Sequence, residues 1–152
     1  MATLQATPPV AAVGLKPIVF ATDFSPASKA ALAKAVEMAR KEGAEIIVAH
    51  VYEPHSGPAD DLITAGLEET IRHDVEKKLD SVLTEIRKEG VKARGEILAG
   101  HAAKGLAKIA EETGAALIIV GTHGRTGLRK IVLGSVASQV IATAPCPVLT
   151  VR

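Results

Sequence analysis

Aromatic side chains are almost missing from this chain: Phe20, Phe24 and Tyr52 are the whole set among 152 residues. Single-stranded nucleic acids are held by stacking bases on exposed aromatic platforms, and this sequence offers few of them. Charge of one sign is missing too. The net charge is +1, so no strong field draws the chain to nucleic acid or to an anionic membrane. Cys146 is the single cysteine, which excludes an intramolecular disulfide and a zinc site built on several thiolates. It stands between Pro145 and Pro147 beside an apolar run and reads as a small buried thiol rather than a reactive one. No apolar stretch approaches the roughly 18 residues that a membrane-spanning helix needs. The first 15 residues lack a basic segment and contain Pro8-Pro9, unlike a secretory signal. These absences lead us to expect a cytoplasmic protein that engages neither nucleic acid nor membrane.

What remains is a globular composition. Hydrophobic residues make up 47% and charged residues 23% of the chain, which suits one domain with a core of Ala, Val, Ile and Leu. Residues 1–15 carry Thr, Pro, Ala and Gly without periodicity and are expected to form a flexible tail. Residues 16–152 form the expected single domain.

The most informative stretch is Gly121-Thr122-His123-Gly124-Arg125-Thr126-Gly127, followed after a short run by Gly134-Ser135. Before it stands Ala115-Ala116-Leu117-Ile118-Ile119-Val120, a continuous apolar run that reads as a buried parallel strand. After it, Gly134 to Ile141 reads as the opening of a helix. The order is strand, glycine-rich loop, helix start. Glycines let a backbone turn sharply and approach a ligand closely. A helix start adds unpaired N–H donors and the positive end of a dipole. Together they make a seat for an anion, most simply a phosphate.

The rest of the chain alternates strand and helix. Ile18 to Thr22 reads as a strand, with Ser25 as N-cap and Pro26 as the first residue of a helix to about Glu42. Ala31, Leu32, Ala35, Val36 and Ala39 share that helix's inner face, and Gly43 stops it. Ala44 to Val51 is a second strand. His55 to Thr64 reads as a loop or a frayed helical entry. Leu67, Ile71, Val75, Leu79, Val82, Leu83 and Ile86 then keep helical spacing up to Gly90. A third strand over Val91 to Leu98 precedes a helix from Ala102 to about Thr113, which packs through Leu106, Ile109 and Ala110. The last helix ends near Ala144, and Val148 to Val151 forms the final strand. Five strands alternating with four helices predict a mostly parallel sheet covered on both faces.

Asp23 lies at the end of the first strand, where ligands collect in open α/β sheets. Two readings stand: a ligand-binding carboxylate, or a helix-flanking carboxylate favoured by the dipole. His73 reads as a solvated side chain. His50 and His55 have no further ligand types at metal-binding spacing, and no metal site is assigned. Gly100 to Leu106 approaches a phosphate-binding Walker A loop but puts Leu106 where the lysine belongs, with no Ser or Thr after it. His101 reads as a helix-entry residue.

From Pro17 to Arg152 the sequence resembles a single-domain universal stress protein of the ATP-binding subgroup. The resemblance rests on Ala21-Thr22-Asp23-Phe24-Ser25, the Ile46-to-Val51 strand, Gly121 through Ser135, and Ala144 to Leu149. It implies an open five-stranded sheet of order 3-2-1-4-5 with helices on both faces. Asp23 and Gly121 then face each other across the crevice where doubly wound sheets bind ligands. It further implies that Asp23 holds the adenosine end and that the Val51 backbone contacts adenine. Gly121 and Gly124 line the ribose and phosphates. Gly134 and Ser135 bind phosphate oxygens, and Val136 completes the nucleotide-contacting set at the helix start. Arg125 and Lys130 either add positive potential to the loop or are solvated charges.

The implied ligand is ATP, with or without Mg2+. The leading expectation is a nucleotide-responsive regulatory module of the stress response, a homodimer paired through the last strand, acting on an unknown protein partner. A slow ATP hydrolase is the enzymatic alternative, with Asp23 and His123 its obvious candidates and no catalytic constellation around either. A third reading is a nucleotide-independent interaction protein, or one that takes AMP or a cyclic nucleotide.

Overall fold

The computed structural model describes residues 15–54, 61–122 and 133–152. The expected tail before Leu15, the stretch 55–60 and most of the glycine-rich loop, 123–132, lie outside the described residues. The chain forms β1 (Ile18–Ala21), α1 (Ser28–Glu42), β2 (Ile46–Tyr52), α2 (Asp61–Lys88), β3 (Ala93–Ala99), α3 (Ala102–Thr113), β4 (Leu117–Gly121), α4 (Ser135–Thr143) and β5 (Val148–Val151). The strands make one sheet of order β3-β2-β1-β4-β5, and every pair is parallel. Fold class and strand order are those expected.

The sheet has helices on both faces because its strands are apolar on both faces. Alternate residues divide the core in two. Ile18, Phe20, Ile46, Val48 and Ile119 pack with Ala31, Leu32, Ala35 and Ala39 of α1 and Leu79, Leu83 and Ile86 of α2. On the other face, Val19, Ala21, Ile47, Ala49, Ile118 and Val120 meet Ala103, Leu106, Ile109 and Ala110 of α3 and Ala137 and Val140 of α4. Strand β1 pairs on both sides and is wholly buried.

Helix ends follow backbone chemistry. Gly43 and Gly114 adopt left-handed φ values of 66° and 63°, and their N–H groups return to carbonyls of the last turn. The start of α1 differs from the expectation. The helix begins at Ser28, not Pro26, and Ala27 occupies the capping position. The Ser25 carbonyl accepts the Ser28 N–H at 3.1 Å and the Ser28 Oγ–H at 2.7 Å, while the Pro26 carbonyl accepts the Lys29 N–H. These tight i-to-i+3 bonds make a short entry turn that uses up the residues expected to open the helix. The Ser25 hydroxyl, expected to cap it, is buried without a hydrogen-bond partner among the described residues. Helix α2 already runs from Asp61, so the end of the stretch read as a loop or frayed entry is helical. Strand β3 starts at Ala93 rather than Val91, although Val91 is buried in the core beside α2.

Candidate functional site

The strand order reverses between β1 and β4: the chain moves from β1 outward through β2 and β3, then returns to β4 on β1's other side. Helices leaving the two strands to opposite faces open a crevice at their C-terminal ends. A cavity of about 340 Å³ lies there, within the size range of small-ligand sites. Its walls are apolar on the α3–α4 side, with Ala21, Ala49, Val51, Leu106, Val120 and Ala137, while Thr22, Asp23, Ser28, Thr122 and Ser135 are its polar members.

Six of the seven residues singled out in the sequence line this one cavity: Asp23, Val51, Gly121, Gly134, Ser135 and Val136. They come from three strand ends and one helix start, separated by as much as 113 positions between Asp23 and Val136. The seventh, Gly124, lies outside the described residues, as do His123, Arg125 and Lys130.

The turn that presents Asp23 is tightly tied. Asp23 Oδ1 accepts the Ser25 N–H at 2.9 Å, and Thr22 Oγ1 accepts the Phe24 N–H at 3.0 Å. Such local side-chain bonds hold the backbone in a turn. Between them Phe24 takes φ of 60°, a left-handed conformation costly for a bulky residue. His50 braces it. Its Nδ1 stands 2.8 Å from the Thr22 carbonyl oxygen, and its ring lies 4.6 Å from that of Phe24. A carbonyl only accepts, so Nδ1 carries the hydrogen.

Weighing His50 in the sequence only as a possible metal ligand misses this structural role. The signal is present in the period of two, which puts His50 on the same face of β2 as Ile46 and Val48.

The opposite wall is built around Gly134. Its N–H donates to the Thr122 carbonyl at 2.8 Å, closing the glycine-rich loop between strand and helix. A Cβ at position 134 would lie 2.9 Å from that same carbonyl oxygen. Its φ is −57°, so glycine is required here by close approach rather than by left-handed backbone. Thr122 N–H in turn donates to Val151 of β5. Helix α4 therefore starts at a fixed place beside β4, with Gly134 at its N-cap offering no side-chain cap and, among the described residues, no acidic residue in its first turn. Its positive end faces the cavity through Gly134, Ser135 and Val136.

Cys146 takes no part in the cavity. Burial pushes its thiol up, against a smaller downward effect from a hydrogen bond with the Ile118 backbone. Cys146 is half-buried rather than fully buried as the sequence reading expected, and the upward shift disfavours the reactive thiolate. Among the described residues no cluster of His, Cys, Asp or Glu is arranged to hold a metal ion, and no helix is long and apolar enough to cross a membrane.

A doubly wound parallel sheet with a cavity at its switch point and a helix start aimed into it defines a class of ligand-binding α/β domain. Comparison with known proteins narrows that class. Residues 14–152 match the model of the universal stress protein family. Universal stress protein MJ0531 of Methanocaldococcus jannaschii is 36% identical over 139 residues, covering 90% of this chain and 82% of that protein. The solved structure of MJ0577, a universal stress protein of the same organism, superimposes with a TM-score of 0.82 at 31% identity, covering 91% of this chain and 96% of that one. The universal stress protein of Archaeoglobus fulgidus solved in complex with dAMP gives 0.67 at 30% identity, covering 90% and 97%. This chain belongs to the universal stress protein family.

Proposed function

We propose that this chain is an ATP-binding regulatory module of the stress response, working as a homodimer. The observation that carries the nucleotide part is the convergence of Asp23, Val51, Gly121, Gly134, Ser135 and Val136 on one cavity. An apolar end between β2 and α3 suits a base. The uncapped start of α4 suits phosphate oxygens. Asp23, held by its bond to the Ser25 N–H, stands between them as an acceptor for ribose hydroxyls. That the A. fulgidus relative was solved in complex with dAMP supports a nucleotide as the ligand. Gly124 belongs to the phosphate end in this reading, with Mg2+ as a companion of the triphosphate.

The dimer rests on β5. Among the described residues it is the edge strand, pairs only with β4, and leaves all four of its residues partly exposed. A second copy pairing there would cover an apolar edge that otherwise invites nonspecific association.

The test is titration calorimetry of nucleotide-stripped protein with ATP and Mg2+, alongside Gly124→Val and Asp23→Ala. Binding by the parent that Gly124→Val abolishes and Asp23→Ala weakens is the expected result. Heat from AMP or a cyclic nucleotide but not from ATP would reassign the ligand. Silence with all of them would leave the chain an interaction module. Phosphate release above background that Asp23→Ala removes would make it a hydrolase.

A further inference from the structure

The first turn of α3 carries a glycine, Gly105, that neither a left-handed φ nor a cap requires. Glycine is disfavoured in a helix interior relative to alanine, and Gly105 keeps its regular helical bond to the His101 carbonyl at 2.9 Å. The reason for it lies across the packing interface. A Cβ at Gly105 would stand 2.9 Å from Cγ2 and 3.0 Å from Cγ1 of Val51. Both γ-carbons of Val51 thus rest against the bare backbone of α3, where a neighbouring side chain would otherwise be.

Val51 is itself a wall of the cavity, with Leu106 and Ala102 of α3 beside it. Its β-branched side chain is stiff at χ1, and the strand that carries it is fixed by parallel pairing with β3 through Val51 and Tyr52. A group added at position 105 would press on a side chain whose strand is held by this pairing. The open volume beside the Val51 methyls is the cavity that Val51 lines. We propose that Gly105 determines the width of the base end of the cavity, acting through Val51, and so sets how well it takes a bicyclic purine over a smaller pyrimidine. Gly105 touches no ligand in this account; it is a positioning residue. The proposal rests on the nucleotide reading above and adds what selects the base.

The experiment is calorimetric titration with ATP and with CTP of four proteins: the parent, Gly105→Ala, Val51→Ile, and the double variant Gly105→Ala/Val51→Ala. Gly105→Ala and Val51→Ile are each expected to lose about tenfold or more in ATP affinity, the effect of one extra methyl group in a filled pocket. CTP, with its single ring, should lose less. The double variant removes the two methyls that the alanine displaces and should recover purine binding. Thermal unfolding separates this pattern from general damage, since Gly105→Ala carries the better helix former. ATP affinity unchanged in folded Gly105→Ala, or no recovery in the double variant, overturns the proposal while leaving the nucleotide reading intact. If Gly105→Ala does not fold, Val51→Ile decides alone, and unchanged ATP affinity there overturns it. A parent protein that binds neither nucleotide overturns both readings together.

Discussion

Gly134 and His50 show how single residues set the cavity from outside any ligand contact. Replacing Gly134 by alanine puts a carbon 2.9 Å from the Thr122 carbonyl oxygen, and the backbone bond between the two cannot survive unstrained. Gly134→Ala is therefore expected to cost about 1–3 kcal/mol in urea unfolding and to weaken ATP binding. His50→Leu keeps an apolar partner for Phe24 but removes the donor to the Thr22 carbonyl. Leaving that buried acceptor unpaired should cost about 1–3 kcal/mol, and the loosened Asp23 turn should bind ATP less tightly by calorimetry. The glycine spacing makes Gly134 visible in the sequence, although the structure requires it for close approach to a carbonyl rather than for unusual dihedrals. His50 is not visible there as a brace, because its partner is a backbone oxygen 28 positions away. Gly105 is equally hidden: only the packing of α3 on β2 reveals what a missing Cβ allows.

At the scale of the element, periodicity locates every strand and helix, since each apolar run has to be buried on one face or on both. The boundaries follow less well where local bonds override propensity. Ser25 and Pro26 are good helix-start residues, yet the left-handed Phe24 and the bonds to the Ser25 carbonyl make an entry turn of them instead. Two glycines test the packing of α2 in opposite directions. Gly66 lies in the exposed part of α2, and a Cβ added there would meet nothing within 4 Å, so Gly66→Ala should stabilise by up to about 1 kcal/mol through helix propensity alone. Gly95 in β3 faces Leu79 of α2, whose Cδ2 would lie 2.5 Å from an added Cβ. Gly95→Ala should destabilise by about 1–3 kcal/mol. Thermal or urea unfolding of the pair checks whether α2 is held to the sheet by its C-terminal half, where Leu79, Leu83 and Ile86 are buried.

For the whole molecule, the sheet order puts ligand crevice and free edge on neighbouring strands. Thr122, which anchors Gly134, is also bonded to β5 through Val151. The carbonyls of Pro147 and Val151 both face β4, so the alternation of a parallel strand aims the N–H groups of Val148 and Thr150 at the free edge. Thr150→Pro removes one outward donor and spares the ladder to β4. In the dimer reading this variant should sediment or scatter light as one chain, where the parent has the mass of two; a parent of single-chain mass at micromolar concentration would refute β5 pairing. Strand order is legible in the sequence through the family resemblance. The cavity's apolar end is not, because Ala49, Leu106 and Ala137 read only as core until the layers are assembled.

The most direct measurement of the central claim, that ATP occupies the cavity at the switch point, is a titration of nucleotide-free protein with ATP followed by backbone amide NMR. Saturable shifts are expected to concentrate at Asp23, Val51, Gly121 and Gly134 to Val136, with α2 from Asp80 to Lys88 unmoved. Shifts confined to other surfaces, or none at ATP concentrations that saturate the calorimetric response, would contradict it.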